Sequence, residues 1–177
     1  ADLIGLSSAA LDSLVERVMV LSVQVATLMQ TADMVIADTT GSGVQTVEER
    51  ALMVAANVAT ELNNAVEQAA AKGTTVSLGD PALVETILVE TVTQTAGVIS
   101  QTIESKQASG EIDDTNLTSD ELAAIVDLKQ QSDVITQVGV SAEQAGELSA
   151  ISETAAAVNE QTEKAIANVG KYGDAIT

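Results

Sequence analysis

Between residues 8 and 37 the apolar side chains return at alternating spacings of three and four: Leu11, Leu14, Val18, Leu21, Val25, Leu28, Ala32 and Val35. With 3.6 residues to a turn, only a helix brings these positions to one face, and the alternation is that of a coiled-coil a/d seam. Val15, Met29 and Ile36 widen the stripe, as a helix inside a bundle requires. A second seam of the same kind, Leu148, Ile151, Ala155, Val158, Thr162, Ala165, Val169 and Tyr172, runs near the other end. The many Val and Thr residues would by themselves favour strands, but the spacing overrides that preference.

Between the two seams, capping chemistry divides the chain. Thr46-Val47-Glu48-Glu49, Thr118-Ser119-Asp120-Glu121 and Ser141-Ala142-Glu143-Gln144 are capping boxes, in which side chain and backbone amide satisfy each other across the first turn. Asp80-Pro81 is an N-cap followed by a proline at the first helical position. Gly73 and Gly139 are stop signals. The second helix should bury Val47, Ala51, Val54, Val58, Leu62, Ala65 and Ala69. The third should bury Val84, Leu88, Thr91, Thr95, Val98 and Thr102, with Ile87, Ile99 and Ile103 beside them, and its three threonines make it the wettest of the set. The expectation is an all-α, elongated antiparallel bundle in a single domain 1–177, with helices at about 8–37, 46–72, 81–107, 118–138 and 141–171 and heptad-like seams, the last two helices being nearly continuous.

Composition removes most chemistry from this frame. The chain has 177 residues, no His, no Cys, no Trp and no Phe, so the usual proton shuttle, thiol nucleophile and ligands for zinc, haem and iron–sulfur centres are missing. Seven basic against 26 acidic residues give a net charge of −19, which excludes nucleic acid and anionic membrane surfaces as partners. The richest apolar stretch, Val18 to Met29, is interrupted by Ser22, Gln24 and Thr27, short of an unbroken membrane span. A first residue Ala1 followed by Asp2 is the expected look of a mature secreted chain, which points to an extracellular or periplasmic location.

Few residues invite a chemical role. Calcium is the cation that the loop Glu111-Ile112-Asp113-Asp114-Thr115-Asn116 would hold, through Asp113, Asp114 and Asn116, but its spacing departs from the EF-hand and a solvated loop feeding the next cap explains it as well. The carboxylate pairs Asp12/Glu16 and Glu143/Glu147 read as exposed faces, and Glu160/Lys164 as a surface ion pair. Ser105 and Lys106 diverge on a helix and form no catalytic pair. Asn116-Leu117-Thr118 matches a glycosylation sequon, but the cap accounts for Thr118. Met19, Met29, Met34 and Met53 read as core filler, with a deformable apolar groove as the alternative.

The functional expectation is a non-enzymatic structural or interaction protein, an exported bundle that associates into a homo-oligomer, fibre or surface layer. Its self-association seam would comprise Leu11, Leu14, Val18, Leu21, Val25, Leu28, Leu148, Ile151, Val158 and Val169. The alternatives are a module that binds a small apolar ligand or a partner helix, and a sensor or adaptor domain of a larger receptor. No cofactor other than calcium is expected. The terminal seams are similar to the paired terminal helices of flagellins, and the Ala/Ser/Thr/Glu/Gln-rich stretch 149–168 is similar to chemoreceptor stalks. Neither likeness reaches a motif, so no family assignment follows.

Overall fold

A computed structural model describes residues 8–40, 46–113 and 115–174, with side chains over 13–37, 46–113 and 115–168. These residues form five helices and no strand: α1 (Ser8–Thr40), α2 (Val47–Lys72), α3 (Pro81–Ser109), α4 (Ser119–Val138) and α5 (Ala142–Asp174). The starts follow the capping grammar. Thr46 Oγ1 accepts from the Glu49 amide while Glu49 Oε2 accepts from the Thr46 amide, and the same reciprocal pair joins Thr118 to Glu121 and Ser141 to Gln144. Asp80 Oδ1 accepts from the Ala82 amide, with Pro81 opening α3. Gly73 and Gly110 close α2 and α3 in the left-handed conformation, at φ 66° and 78°.

Helix α3 is the spine, packing against each of the other four helices. Cross-links between side chains give the directions. Asn57 Nδ2 donates to Thr95 Oγ1 and Gln94 Nε2 to Glu61 Oε1, and Arg50 near the start of α2 pairs with Asp33 near the end of α1, so α2 folds back antiparallel on α1 and runs antiparallel to α3. Lys129 meets Glu104, Ser100 meets Asp133, Ser149 meets Glu85 and Asn159 meets Leu78, so α4 and α5 run in line, both antiparallel to α3. The break between them falls at Gly139, whose φ of 90° suits a residue without Cβ. The middle of the molecule is a helical bundle of α1, α2, α3 and α5 around Leu28, Ile36, Val54, Val58, Val84, Ile87, Leu88, Leu148 and Ala156. Beyond it, the end of α3 and the start of α4 form a hairpin arm around Ile99, Ile103 and Ile125, against which Ile112, Leu117 and Leu128 pack.

Three expectations need correction. Helix α3 is the best-buried helix rather than the wettest, with Thr91 and Thr95 at most 1% exposed. Its central place leaves little of it facing solvent, although Val98 is exposed and Thr102 half-buried. Val47 and Ala51, expected inside, are exposed because they belong to the start of α2, before that helix meets the core at Val54. In α5 the buried stripe is Leu148, Ser152, Ala155, Ala156 and Asn159, so the core faces one position beyond the expected Ile151 and Val158. Small residues there let α5 approach α3, and Ser152 satisfies its hydroxyl on the Leu148 carbonyl at 2.6 Å.

Two helices, Ser13–Ala37 and Pro81–Ser109, are long and apolar enough by average composition to cross a membrane, although each is broken by polar residues. For α3 that composition is what a central core helix needs.

The phase of α5 is testable with two neighbouring residues. Ala156→Leu overpacks the core and should lower unfolding free energy by about 1–3 kcal/mol. Ala157→Leu, on the exposed side, should change it by no more than about 0.5 kcal/mol. Urea denaturation of both variants distinguishes the faces.

Candidate functional site

The burial of α1 changes abruptly along its length. Gln24, Leu28, Thr31, Ala32 and Ile36 are buried within the bundle. On the N-terminal side of Gln24, Leu14, Val15, Val18, Met19, Leu21 and Val23 are all between 46% and 56% exposed. The boundary is set by polar anchors. Gln24 Nε2 donates to the Asn159 carbonyl at 3.3 Å and to Glu163 Oε1 at 2.8 Å, tying α1 to α5. Asn159 Nδ2 donates at 2.9 Å to the carbonyl of Leu78, in the connection that leads into α3. At this level α2 has ended at Lys72 and α3 starts at Pro81. Past it, α1 and α5 continue toward the same end of the molecule, and the apolar side chains of α1 there are about half exposed.

The apolar surface on this part of α1 is wider than one neighbour needs. At 100° per residue the six side chains span roughly 200° of the helix circumference, against the ~100° stripe of an ordinary surface helix. It is also electrically quiet. Between residues 13 and 32 the only charges are the adjacent and opposite Glu16 and Arg17, in a chain of net charge −19.

The expected seam residues therefore divide. Leu28 and Leu148 lie in the core of the single chain, with Val25 and Ile151 packed against that core, and they offer no free surface for a second copy. In α1 the later part of the seam is used within the bundle and the earlier part is left uncovered, and in α5 the core faces Asn159 rather than Val158. Leu14, Val18, Leu21 and Val158 are exposed, while the side chains of Leu11 and Val169 lie outside the described residues. Sequence reasoning left out Val23 and took Met19 for core filler. Its search was for one stripe, and the sign it passed over was apolarity all round α1. Of the methionines, Met29 and Met53 are half-buried and Met19 and Met34 exposed, so the four do not share a groove floor.

Elsewhere the candidate groups are occupied by local structure. Asp113 Oδ1 accepts from the Thr115 amide, which holds its carboxyl below the usual range, and the Asp113 carbonyl accepts from the Asn116 amide. Asp114 lies outside the described residues, and among the described residues no cluster of three or more metal-binding side chains occurs. Glu160 and Lys164 form their ion pair at 2.7 Å. Lys129 bridges Asp133 at 2.7 Å and Glu104 at 3.0 Å, and Ser100 Oγ donates to Asp133. The bond from Lys129, then that from Ser100, hold the Asp133 carboxyl low, and Asp133 with Glu104 raises Lys129. This network clamps α4 to α3.

The void between α1, α3 and α4, lined by Ile36, Val92, Thr95, Leu128, Ser132 and Ile135, measures about 10 Å³. That is room for about one water, far below the several hundred Å³ of a small-molecule pocket. Larger depressions, of about 400 Å³ beside Gln130 and Gln131 and about 350 Å³ between α2 and the 74–80 connection, are surface grooves with mixed polar walls. Comparison with known proteins gives no match to a family model, a curated protein or a solved structure.

The capping carboxylates supply a test of the local electrostatics. The Thr118 amide holds Glu121 below its ordinary value. A depressed carboxylate contributes stability that is present above its unfolded pKa and is lost as pH falls through the folded one. The stability difference between the native chain and Glu121→Ala should thus be full above the ordinary glutamate value of 4.5 and shrink as pH drops below it. Denaturation at a series of pH values checks the sign.

Proposed function

We propose that this chain is a non-enzymatic structural or interaction protein that works by associating with other helical chains, first of all copies of itself. The observation that carries this reading is the run of six half-exposed aliphatic side chains on α1, Leu14 to Val23. Single exposed aliphatics are ordinary on a protein surface, whereas a contiguous patch of this kind marks a contact site. The side chains available suit contact better than catalysis. With no His or Cys, acid–base or nucleophilic work would fall to carboxylates and lysines, and those with displaced pKa values are engaged in caps and in the α3/α4 clamp. A contact built from Val, Leu and Met lacks the aromatic anchors of many interfaces and depends on area and shape instead.

The net charge of −19 opposes association over distance, and salt shortens that repulsion to a Debye length of about 10 Å at 0.1 M. Sedimentation should therefore show oligomers whose population grows with protein concentration and with salt. Val18→Glu, at an exposed position, should weaken association at least tenfold with helical content and unfolding unchanged. A native chain that stays monomeric at every concentration and salt level would sink the proposal.

A further inference from the structure

The region past Gln24 specifies how such association would be built. We infer that the outer parts of α1 and α5, residues 8–23 and 160–174, form an arm that mates with the same arm of a second copy, the two arms together making a four-helix bundle across a two-fold axis. This inference rests on the self-association reading above and adds its surface, partner and stoichiometry.

The partner follows from what the arm lacks. In the middle of the molecule α1 is flanked by α2, α3 and α5 and its side chains are buried, but beyond Gln24, where it is tied to α5, its apolar side chains are about half exposed. The arm extends about 24 Å at 1.5 Å per residue. One neighbouring helix covers about half of an apolar surface that spans roughly 200°.

Charge selects between the surfaces a second copy presents. A head-to-tail contact needs a complementary patch elsewhere on the molecule. The opposite arm, α3 into α4, carries seven carboxylates between residues 104 and 127 against the single Lys106, so it gives an apolar surface little to match and repels its own kind. The α1/α5 arm is its own best complement: it is apolar over Leu14 to Val23 and its five carboxylates face three basic residues, Arg17, Lys164 and Lys171, so it repels a second copy of itself far less than the α3/α4 arm does. Contact between like patches closes at two copies, whereas a head-to-tail contact propagates.

Because the chain has no cysteine, single-cysteine variants cross-link without background. Val18→Cys and Leu21→Cys on the arm are compared with Val126→Cys on the exposed side of α4. Under mild oxidation at least one arm variant should form a covalent dimer ten times faster or more than the α4 variant, and sedimentation of the unmodified chain should stop at twice the chain mass. Self-association with both arm variants slow, or growth past the dimer, overturns the arm-to-arm contact and leaves the broader reading standing. A chain that is monomeric throughout overturns both. A monomer that floats with zwitterionic phosphatidylcholine vesicles also overturns both and assigns the α1 patch to lipid.

Discussion

Packing without rings governs this molecule. With aromatics at 1% of the chain, no single side chain fills a large volume, so burial has to come from many short aliphatic contacts at close helix separation. That requirement puts α3 at the centre, where it packs on all four other helices, and it favours Ala, Ser, Thr and Asn at the contacts. Such residues enter the core because they can satisfy themselves locally. Thr31 Oγ1 bonds to the Thr27 carbonyl at 2.7 Å and Ser152 Oγ to the Leu148 carbonyl at 2.6 Å, while Thr95 Oγ1 accepts from Asn57. Among the described residues two buried side-chain atoms are left without a protein partner, Thr91 Oγ1 and Asn159 Oδ1. Each is a cost of about 1–3 kcal/mol that the surrounding aliphatics offset.

A core made this way reaches only as far as enough helices run side by side. Where α2 ends and α3 begins, it closes with a polar seal of Gln24, Asn159 and the Leu78 carbonyl. Buried polar groups of this kind fix register, and this one also marks where the helical surface stops serving the fold. The α1 side chains beyond it are as apolar as those inside, yet about half of their surface is open. The functional reading grows from that mismatch between composition and burial. Charge is unevenly placed as well: seven carboxylates stand against Lys106 between residues 104 and 127, whereas residues 17–32 of α1 hold no carboxylate.

Much of the fold was legible in the sequence because its signals are local. Capping boxes at Thr46, Thr118 and Ser141 and the glycine at 73 act over one turn and do not depend on tertiary context. Phase was less legible. In α5, Val158 and Asn159 compete for the core, and hydropathy favours Val158. The structure buries Asn159 because its amide can reach the Leu78 carbonyl, a contact between residues 81 positions apart that no local pattern announces. Gln24 was read as an interruption of an apolar run, whereas it is the buried anchor that ends the core. The apolar character of α1 was legible but not its division into an internal and an exposed surface, because that division depends on which helices cover it. The threonines of α3 point inward as their spacing implies, but they do not make it the wettest helix, because four neighbours surround it and Thr95 Oγ1 accepts from Asn57.

Burial that runs out at Gln24, with the proposed second copy taking over beyond it, has a direct signature in amide hydrogen exchange at increasing protein concentration. Protection over α3 should be high and independent of concentration, since that helix is buried by its own chain. Protection over residues 8–23 and 160–174 should be low in dilute solution and rise with concentration, with no matching change in α4. Exchange in those two segments that is the same at every concentration, or a rise confined to α4, would contradict the assignment of the exposed α1 face to a second copy.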